Sequence, residues 1–141
     1  MTLYLDTSLV VAALTREAKT VPIVEWMACQ GPGELAVSDW VMTEFSAALS
    51  TKLRTGQITT SERATALATF ARLLAESLEL LPISGFHFRL GAQLADQDAL
   101  ALRGGDALHL ALCAGHGATL CTLDVRLAAA APPVGVRTVT F

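Results

Sequence analysis

Four acidic residues have positions that could support chemistry, because each interrupts, directly follows or directly precedes an apolar run: Asp6, Glu44, Asp106 and Asp124. Two carboxylates about 4 Å apart repel each other by about 4 kcal/mol at an effective dielectric constant of about 20. A fold that gathers all four must therefore bind cations or keep protonated acids of raised pKa. Oxygen ligands alone suit Mg²⁺ or Mn²⁺ better than zinc. The four acids thus indicate a site for metal-assisted phosphoryl chemistry.

Asp6 and Asp124 each follow directly on a short apolar run that has the pattern of a β-strand. In an open parallel sheet, ligands bind at the carboxyl ends of the strands. Both side chains are therefore expected at the same edge of the sheet. For either residue alone, an ordinary turn acid after a strand remains the alternative.

Glu44 and Asp106 lie on predicted helices. Val41, Phe45 and Ala48 surround Glu44 at helical spacing and form an apolar stripe, so Glu44 sits on the face expected to be buried. A buried glutamate needs a partner or a metal. Asp106 opens an apolar helix, where the helix N-terminus can hold a carboxylate, so a capping role is its alternative.

Short strands alternate with helices along the chain, which predicts βαβ units and a mostly parallel sheet covered on both faces. The predicted strands cover residues 3–5, 35–37, 80–83, 119–123 and 136–141. The predicted helices cover residues 9–14, 21–29, 38–54, 59–78, 86–102, 107–114 and 125–131. Pro82 indicates an edge strand, a hydroxyl side chain is expected to cap the first helix, and Gly104-Gly105 is expected to separate two helices.

The composition limits the class of protein. The chain has 141 residues, which suits one domain, and a formal net charge of −3, which argues against a generic nucleic-acid binder with a basic face. Bound cations would change that field. The 52% apolar content predicts a homodimer or another partner face. Neither a signal peptide nor a membrane span is expected, and Cys29, Cys113 and Cys121 are interpreted as reduced, buried thiols of a cytoplasmic protein.

Four segments carry a similarity to a known family, in that family's order and near its spacings: Tyr4-Leu5-Asp6-Thr7-Ser8, Val41-Met42-Thr43-Glu44-Phe45, Arg103-Gly104-Gly105-Asp106-Ala107-Leu108-His109-Leu110-Ala111 and Thr122-Leu123-Asp124-Val125-Arg126-Leu127. On these segments the sequence resembles the PIN domain, and within it the VapC-type toxins of bacterial toxin–antitoxin pairs. The resemblance extends over essentially the whole chain.

The resemblance implies an α/β PIN-domain fold, with a parallel sheet of about five strands and helices on both faces, formed by one domain over residues 1–141. It implies Mg²⁺- or Mn²⁺-dependent endonucleolytic cleavage of RNA, and neutralisation by a cognate VapB-type antitoxin. The residues that it makes metal-binding and catalytic are Asp6, Glu44, Asp106 and Asp124. Ser8 or Thr7 would orient Asp6 or a metal-bound water, with Thr122 as a further candidate.

Two alternatives stay open at this point. A PIN-fold binding module could hold a partner without cutting it, although the complete acid set argues against this. A phospho-accepting receiver domain also clusters acids at strand ends, but it needs a lysine after a late strand, and none follows the last predicted strand here.

The remaining polar residues have ordinary interpretations. His109 is expected to be a packed histidine of an apolar helix rather than a base, and His87 and His116 are expected at the surface or in turns. Four basic residues are interpreted as solvated charges that could also contact RNA phosphates or an antitoxin: Lys52, Arg54, Arg103 and Arg126.

Overall fold

A computed structural model describes all 141 residues. Five short strands form one parallel sheet: β1 (Leu3–Leu5), β2 (Leu35–Val37), β3 (Glu79–Leu80), β4 (Thr119–Cys121) and β5 (Thr138–Val139). The strand order is β3-β2-β1-β4-β5, which puts β1 at the centre. The predicted five-stranded parallel sheet is confirmed, although β3, β4 and β5 are shorter than predicted. Pro82 follows β3, which is indeed an edge strand.

Seven α-helices connect and cover the strands: α1 (Thr7–Leu14), α2 (Thr20–Ala28), α3 (Asp39–Arg54), α4 (Thr60–Glu76), α5 (Gly85–Ala95), α6 (Gly104–His116) and α7 (Val125–Ala130). Single 3₁₀ turns lie at Asp98–Leu100 and Pro132–Val134. None of the helices combines the length and the apolar character needed to cross a bilayer.

The three inner strands show that helices cover both faces of the sheet. Every residue of β1, β2 and β4 is buried. Successive side chains of a strand point to opposite faces, so three consecutive buried residues require cover on both sides. The buried core of 30 apolar residues therefore runs through the sheet. This confirms the predicted α/β architecture.

The end of α5 and the start of α6 differ from the helices predicted over residues 86–102 and 107–114. Helix α5 ends at Ala95, because the next three residues are polar and exposed and offer no face to pack. Helix α6 then begins at Gly104, so the glycine pair forms its first turn instead of separating two helices. As a result Asp106 lies inside the first turn of α6.

One prediction about the cysteines is wrong. Cys113 and Cys121 are buried thiols, as expected, but Cys29 is exposed at the end of α2. Cys29 lies with Ala28 on the exposed side of the end of α2, whereas Trp26 and Met27 on the other side are half-buried, so Cys29 does not reach the apolar core.

The C-terminal end of α6 gives a test of the fold. Gly117 has φ +68° and no neighbour near the position of an added Cβ, so Gly117→Ala adds backbone strain alone. We expect it to lower the free energy of unfolding by about 1 kcal/mol. Gly104→Ala, at the other end of the same helix and also in open space, should have the opposite sign, raising stability by up to about 1 kcal/mol. Urea denaturation of both variants checks this, and equal signs would contradict both boundaries of α6.

Candidate active site

Asp6 and Thr122 meet because their strands are paired neighbours. Leu5 of β1 is in register with Cys121 of β4, so the next residue on each strand leaves the sheet at the same edge. The backbone N–H of Asp6 donates to the carbonyl of Cys121 at 3.1 Å. Thr122 Oγ1 donates to Asp6 Oδ2 at 2.5 Å. The strand pairing thus fixes one carboxylate at the centre of the carboxyl edge.

Three donors hold the Asp6 carboxylate. Besides Thr122, the Ser8 hydroxyl donates to Oδ1 at 2.6 Å, and the backbone N–H of Leu9 donates to the same atom at 3.1 Å. Asp6 therefore caps α1, in place of the hydroxyl cap predicted from the sequence. Only 3% of Asp6 is exposed, and this burial raises its pKa, while the hydrogen bonds from Ser8 and Thr122 oppose the rise.

Hydrogen bonds from the loop after β4 connect Asp124 to Thr122 and Ser8, the two hydroxyl residues that hold Asp6. Its backbone N–H donates to Thr122 Oγ1 at 2.9 Å, and the N–H of Leu123 donates to Ser8 Oγ at 3.1 Å. The Asp124 carboxylate caps α7, because Oδ1 accepts the backbone N–H groups of the second and third residues of that helix. The two hydroxyls thus join the loop that carries Asp124 to Asp6.

Glu44 reaches the edge from α3 and has two partners on one oxygen. Thr7 Oγ1 donates to Glu44 Oε1 at 2.7 Å, and His109 Nε2 lies 2.5 Å from the same atom. Thr7 therefore contacts Glu44, whereas Ser8 contacts Asp6. Burial raises the pKa of Glu44, but the hydrogen bond and charge of His109, together with the Thr7 hydroxyl, outweigh it and lower the pKa overall.

Asp106 is the least restrained of the four acids. Asp106 lies in the first turn of α6, whose N-cap is Arg103, and its carboxylate forms no hydrogen bond within the protein, so Asp106 is not the capping residue of this helix. Burial raises the pKa of Asp106, and the charge of Asp124 raises it further, with smaller additions from Glu44 and Asp6. The electrostatic coupling places all four acids in one neighbourhood.

The donor set suits a hard divalent cation, although no three acidic, histidine or cysteine side chains are already arranged to hold one. Each of the four residues offers carboxylate oxygens, which Mg²⁺ and Mn²⁺ prefer. The rise in the Asp106 pKa caused by Asp124 is the repulsion that a cation would relieve. Since no hydrogen bond fixes the Asp106 carboxylate, it is free to turn toward an ion.

Gly105 allows the first turn of α6 to approach α3. A Cβ at this position would lie 3.2 Å from Glu44 Oε2 and 3.3 Å from Trp40 Cζ2. The indole Nε1 of Trp40 is the one buried side-chain polar atom without a hydrogen-bond partner. The lack of a side chain at Gly105 thus brings Glu44 close to the helix turn that carries Asp106.

Sequence reasoning missed the contacts behind Glu44. His109 is buried, as predicted, but it is more than a packing residue, because it joins Glu44 to Tyr4 and through Tyr4 to Ser38. Its place one helical turn after Asp106 was the available signal. His87 is buried and stacked on His116, so its predicted surface position is wrong.

Among the predicted cations, Lys52 is not a free charge, since its Nζ pairs with Glu17 at 2.8 Å. Arg54, Arg103 and Arg126 are exposed. Arg103 and Arg126 adjoin Asp106 and Asp124 along the chain, at the rim of the carboxyl edge.

The sequence matches the family model of the PIN domain over residues 3–132. The chain belongs to the PIN domain family. A PIN fold explains the parallel sheet, and membership rules out the receiver-domain alternative. No curated protein sequence gives a significant match to this PIN domain.

Three solved structures illustrate the likeness of fold. VapBC2 from Rickettsia felis, bound to a DNA fragment from its promoter, has 19% identity and a TM-score of 0.70 over 100% of this chain and 99% of that chain. VapC20 from Mycobacterium tuberculosis, a sarcin-ricin loop cleaving toxin, has 17% identity and a TM-score of 0.74 over 92% and 95%. FitAcB from Neisseria gonorrhoeae has 14% identity and a TM-score of 0.71 over 97% and 96%.

Thr122→Val tests the bond that holds Asp6. Valine keeps the shape of the buried threonine but leaves an oxygen of the buried Asp6 carboxylate and the N–H of Asp124 without their partner. We expect the free energy of unfolding of the PIN domain to fall by about 2–3 kcal/mol. Thr122→Ser keeps the hydroxyl and serves as the control, with a smaller loss. Urea denaturation at neutral pH measures both, and equal losses would contradict a role for the hydroxyl.

Asp106→Asn tests the repulsion among the acids. Because the pKa of Asp106 is raised in the fold, its ionised form disfavours folding, so asparagine should raise the melting temperature of the metal-free protein at pH 8. The gain should shrink as the pH falls through the raised pKa of Asp106 and vanish below the ordinary aspartate value of about 3.9. Calorimetry with a chelator present checks this. A lower melting temperature at pH 8 would show that the Asp106 charge is stabilised instead.

Proposed function

We propose that this PIN domain is a metal-dependent endoribonuclease that hydrolyses RNA phosphodiesters by means of an activated water, and that it acts as the VapC-type toxin of a toxin–antitoxin pair. The observation that carries the proposal is the placement of four acids around the carboxyl edge of β1 and β4, where burial and then the charge of Asp124 raise the pKa of Asp106. A fold that served only to bind a partner would gain nothing from this repulsion.

Mg²⁺ or Mn²⁺ is the proposed cofactor. Asp6 and Asp106 would be the main ligands, and Glu44 and Asp124 would complete the site. A divalent ion held there supplies Lewis-acid activation of a water and stabilises negative charge on the leaving oxygen. The catalytic residues of the proposal are therefore the same four acids.

The protein contributes a different support for each ligand. Ser8 and Thr122 fix both oxygens of Asp6, which keeps this carboxylate aimed at the edge of the sheet. Thr7 holds Glu44 through Oε1. Asp106 has no such support and can follow the ion. Attack of water on phosphorus, with the bond from phosphorus to the 3′-oxygen broken and that oxygen leaving as the 3′-hydroxyl, gives a 5′-phosphate and a 3′-hydroxyl at the cut.

The proposed substrate and partners are supported by the structural likeness to toxins. One structure of the same fold is that of a sarcin-ricin loop cleaving toxin, which favours RNA as the substrate. Another is a VapBC complex, which favours a VapB-type antitoxin as the partner. A cytoplasmic location would suit both. Exposed Phe86 (51%) and Phe88 (60%) on α5 support the proposal of a homodimer face.

A cleavage assay tests whether the acids are needed for catalysis. Asp106→Asn and Asp6→Asn remove charge but keep shape, so each should reduce metal-dependent cleavage of a structured RNA by at least 100-fold. Asp96→Asn, an exposed acid at the end of α5, is the matched control and should cleave like the wild type. Gel analysis of end-labelled RNA, with and without a chelator, gives the rates. Chemical treatment of the ends identifies the 5′-phosphate.

Three results would overturn the proposal. A 2′,3′-cyclic phosphate product would show attack by the RNA's own hydroxyl rather than by water. Full activity of Asp106→Asn at saturating Mg²⁺ would remove the acids from the chemistry. No cleavage by the wild type, on any of a panel of cellular RNAs with Mg²⁺ or Mn²⁺, would favour the silent binding module. In cells, expression of the wild type and of Asp96→Asn should arrest growth, and expression of Asp106→Asn should not.

A further inference from the structure

A hydrogen-bonded line that ends at Glu44 is formed by three buried polar side chains, Ser38, Tyr4 and His109, none of which is among the four proposed metal ligands. Ser38 Oγ lies 2.8 Å from the Tyr4 hydroxyl, which lies 2.8 Å from His109 Nδ1, and His109 Nε2 lies 2.5 Å from Glu44 Oε1. The three groups behind Glu44 come from three elements: the N-cap of α3, the centre of β1 and the middle of α6.

These groups are costly to keep in a core. Tyr4 and Ser38 are wholly buried and His109 is 2% exposed. Apolar side chains of similar size would fill the same space without losing hydration, so packing alone gives no reason for polar groups here. Every member of the line is hydrogen-bonded, and such a network rigidifies what it holds. This network ends on Glu44 and therefore rigidifies that side chain.

The line determines which oxygen of Glu44 remains without a protein hydrogen bond. Both protein contacts, from Thr7 and from His109, fall on Oε1. Oε2 forms no hydrogen bond and lies beside the first turn of α6, 3.2 Å from the place of an added Cβ at Gly105. With its side chain 29% exposed, Glu44 would otherwise sample several rotamers. The contacts on Oε1 therefore leave Oε2 directed toward the turn that carries Asp106.

We infer that His109 is a positioning residue for Glu44: its Nε2–H donates to Oε1, its Nδ1 accepts the Tyr4 hydroxyl proton, and Oε2 is thereby left free for a divalent cation. An ionised carboxylate accepts only, so the one proton of the neutral imidazole must be on Nε2, and Nδ1 is left to accept a hydrogen bond from the Tyr4 hydroxyl. The inference rests on the proposed function, since it assigns Glu44 a metal. Outer partners of this kind typically change metal affinity by about 10- to 100-fold.

A catalytic role for His109 does not fit the same geometry. Nδ1 and Nε2 are both engaged by protein groups, and the ring is 2% exposed. A general base must come within hydrogen-bond reach of the reacting water or substrate. His109 therefore acts through Glu44.

Two substitutions separate positioning from packing. In His109→Gln the amide nitrogen can take the place of Nε2 and still donate to Glu44. In His109→Asn the amide can replace Nδ1 beside Tyr4, but it is too short to reach Glu44. We expect His109→Asn to weaken Mn²⁺ binding by about 10-fold or more, and His109→Gln to stay within about 3-fold of the wild type. Titration followed by electron paramagnetic resonance of free Mn²⁺ gives the affinities, and thermal unfolding gives the stability of each variant.

A double-mutant cycle and the tautomer of the His109 ring provide two further tests. In a Glu44→Gln background, His109→Asn should have no further effect on Mn²⁺ affinity, because the group that it positions is gone. In ¹⁵N spectra at pH 8, the histidine whose signals disappear in His109→Gln should be an Nε2–H tautomer with slow exchange, and its shifts should move in Tyr4→Phe and in Glu44→Gln, whereas those of His87, whose Nδ1 accepts the backbone N–H of Ser84, should not.

The inference is overturned if His109→Asn and His109→Gln weaken Mn²⁺ binding equally and in step with their loss of stability. It is also overturned if neither variant changes affinity, or if His109 is the Nδ1–H tautomer. If the wild type binds Mn²⁺ with the expected pattern but cuts no RNA, the proposed function fails and the inference stands. If the wild type binds no Mn²⁺, both fail.

Discussion

The repulsion among carboxylates at the carboxyl edge of the sheet is the constraint that the rest of this structure accommodates. Burial and neighbouring charge raise the pKa of Asp106, and burial raises the pKa of Asp6. Folding alone does not relieve that cost, because the same loops and helices that bury the acids also bring them together. The strand register between β1 and β4 and the close approach of α6 to α3 at Gly105 are the two features that enforce the meeting.

The four carboxylates are held by different numbers of hydrogen bonds, which gives them different roles at the proposed metal site. Asp6 is held by two hydroxyls and a backbone N–H, whereas Glu44 is held on one oxygen by Thr7 and His109. Asp124 is occupied in part by capping α7. Asp106 has no partner and carries the strongest influence from the other charges. A site built in this way has fixed ligands on the sheet side and one adaptable ligand on the helix side.

Much of the fold could be predicted from the sequence, because strand and helix patterns are local. The alternation of short apolar runs with helices predicts the parallel sheet, and strand ends predict where Asp6 and Asp124 lie. The site was predictable only in outline. The partner of Glu44 is 65 residues away and the bond between Tyr4 and His109 spans 105 residues, so neither is visible in any local pattern. The sequence also makes Asp106 a candidate helix cap, whereas Asp6 and Asp124 are the acids that cap helices. The burial of His87 depends likewise on the packing of α5 against α6, which hydrophobic periodicity does not specify.

The most direct test of the metal site is anomalous diffraction from crystals soaked in Mn²⁺. We predict a Mn²⁺ peak at the carboxyl edge of β1 and β4, with oxygens of Asp6 and Asp106 at about 2.0–2.3 Å, the range of small hard cations. We also predict Glu44 Oε2, rather than Oε1, on the side of the ion. A well-ordered crystal at saturating Mn²⁺ with no peak at this edge, or with the peak held by other residues, would contradict a metal site built from these four acids.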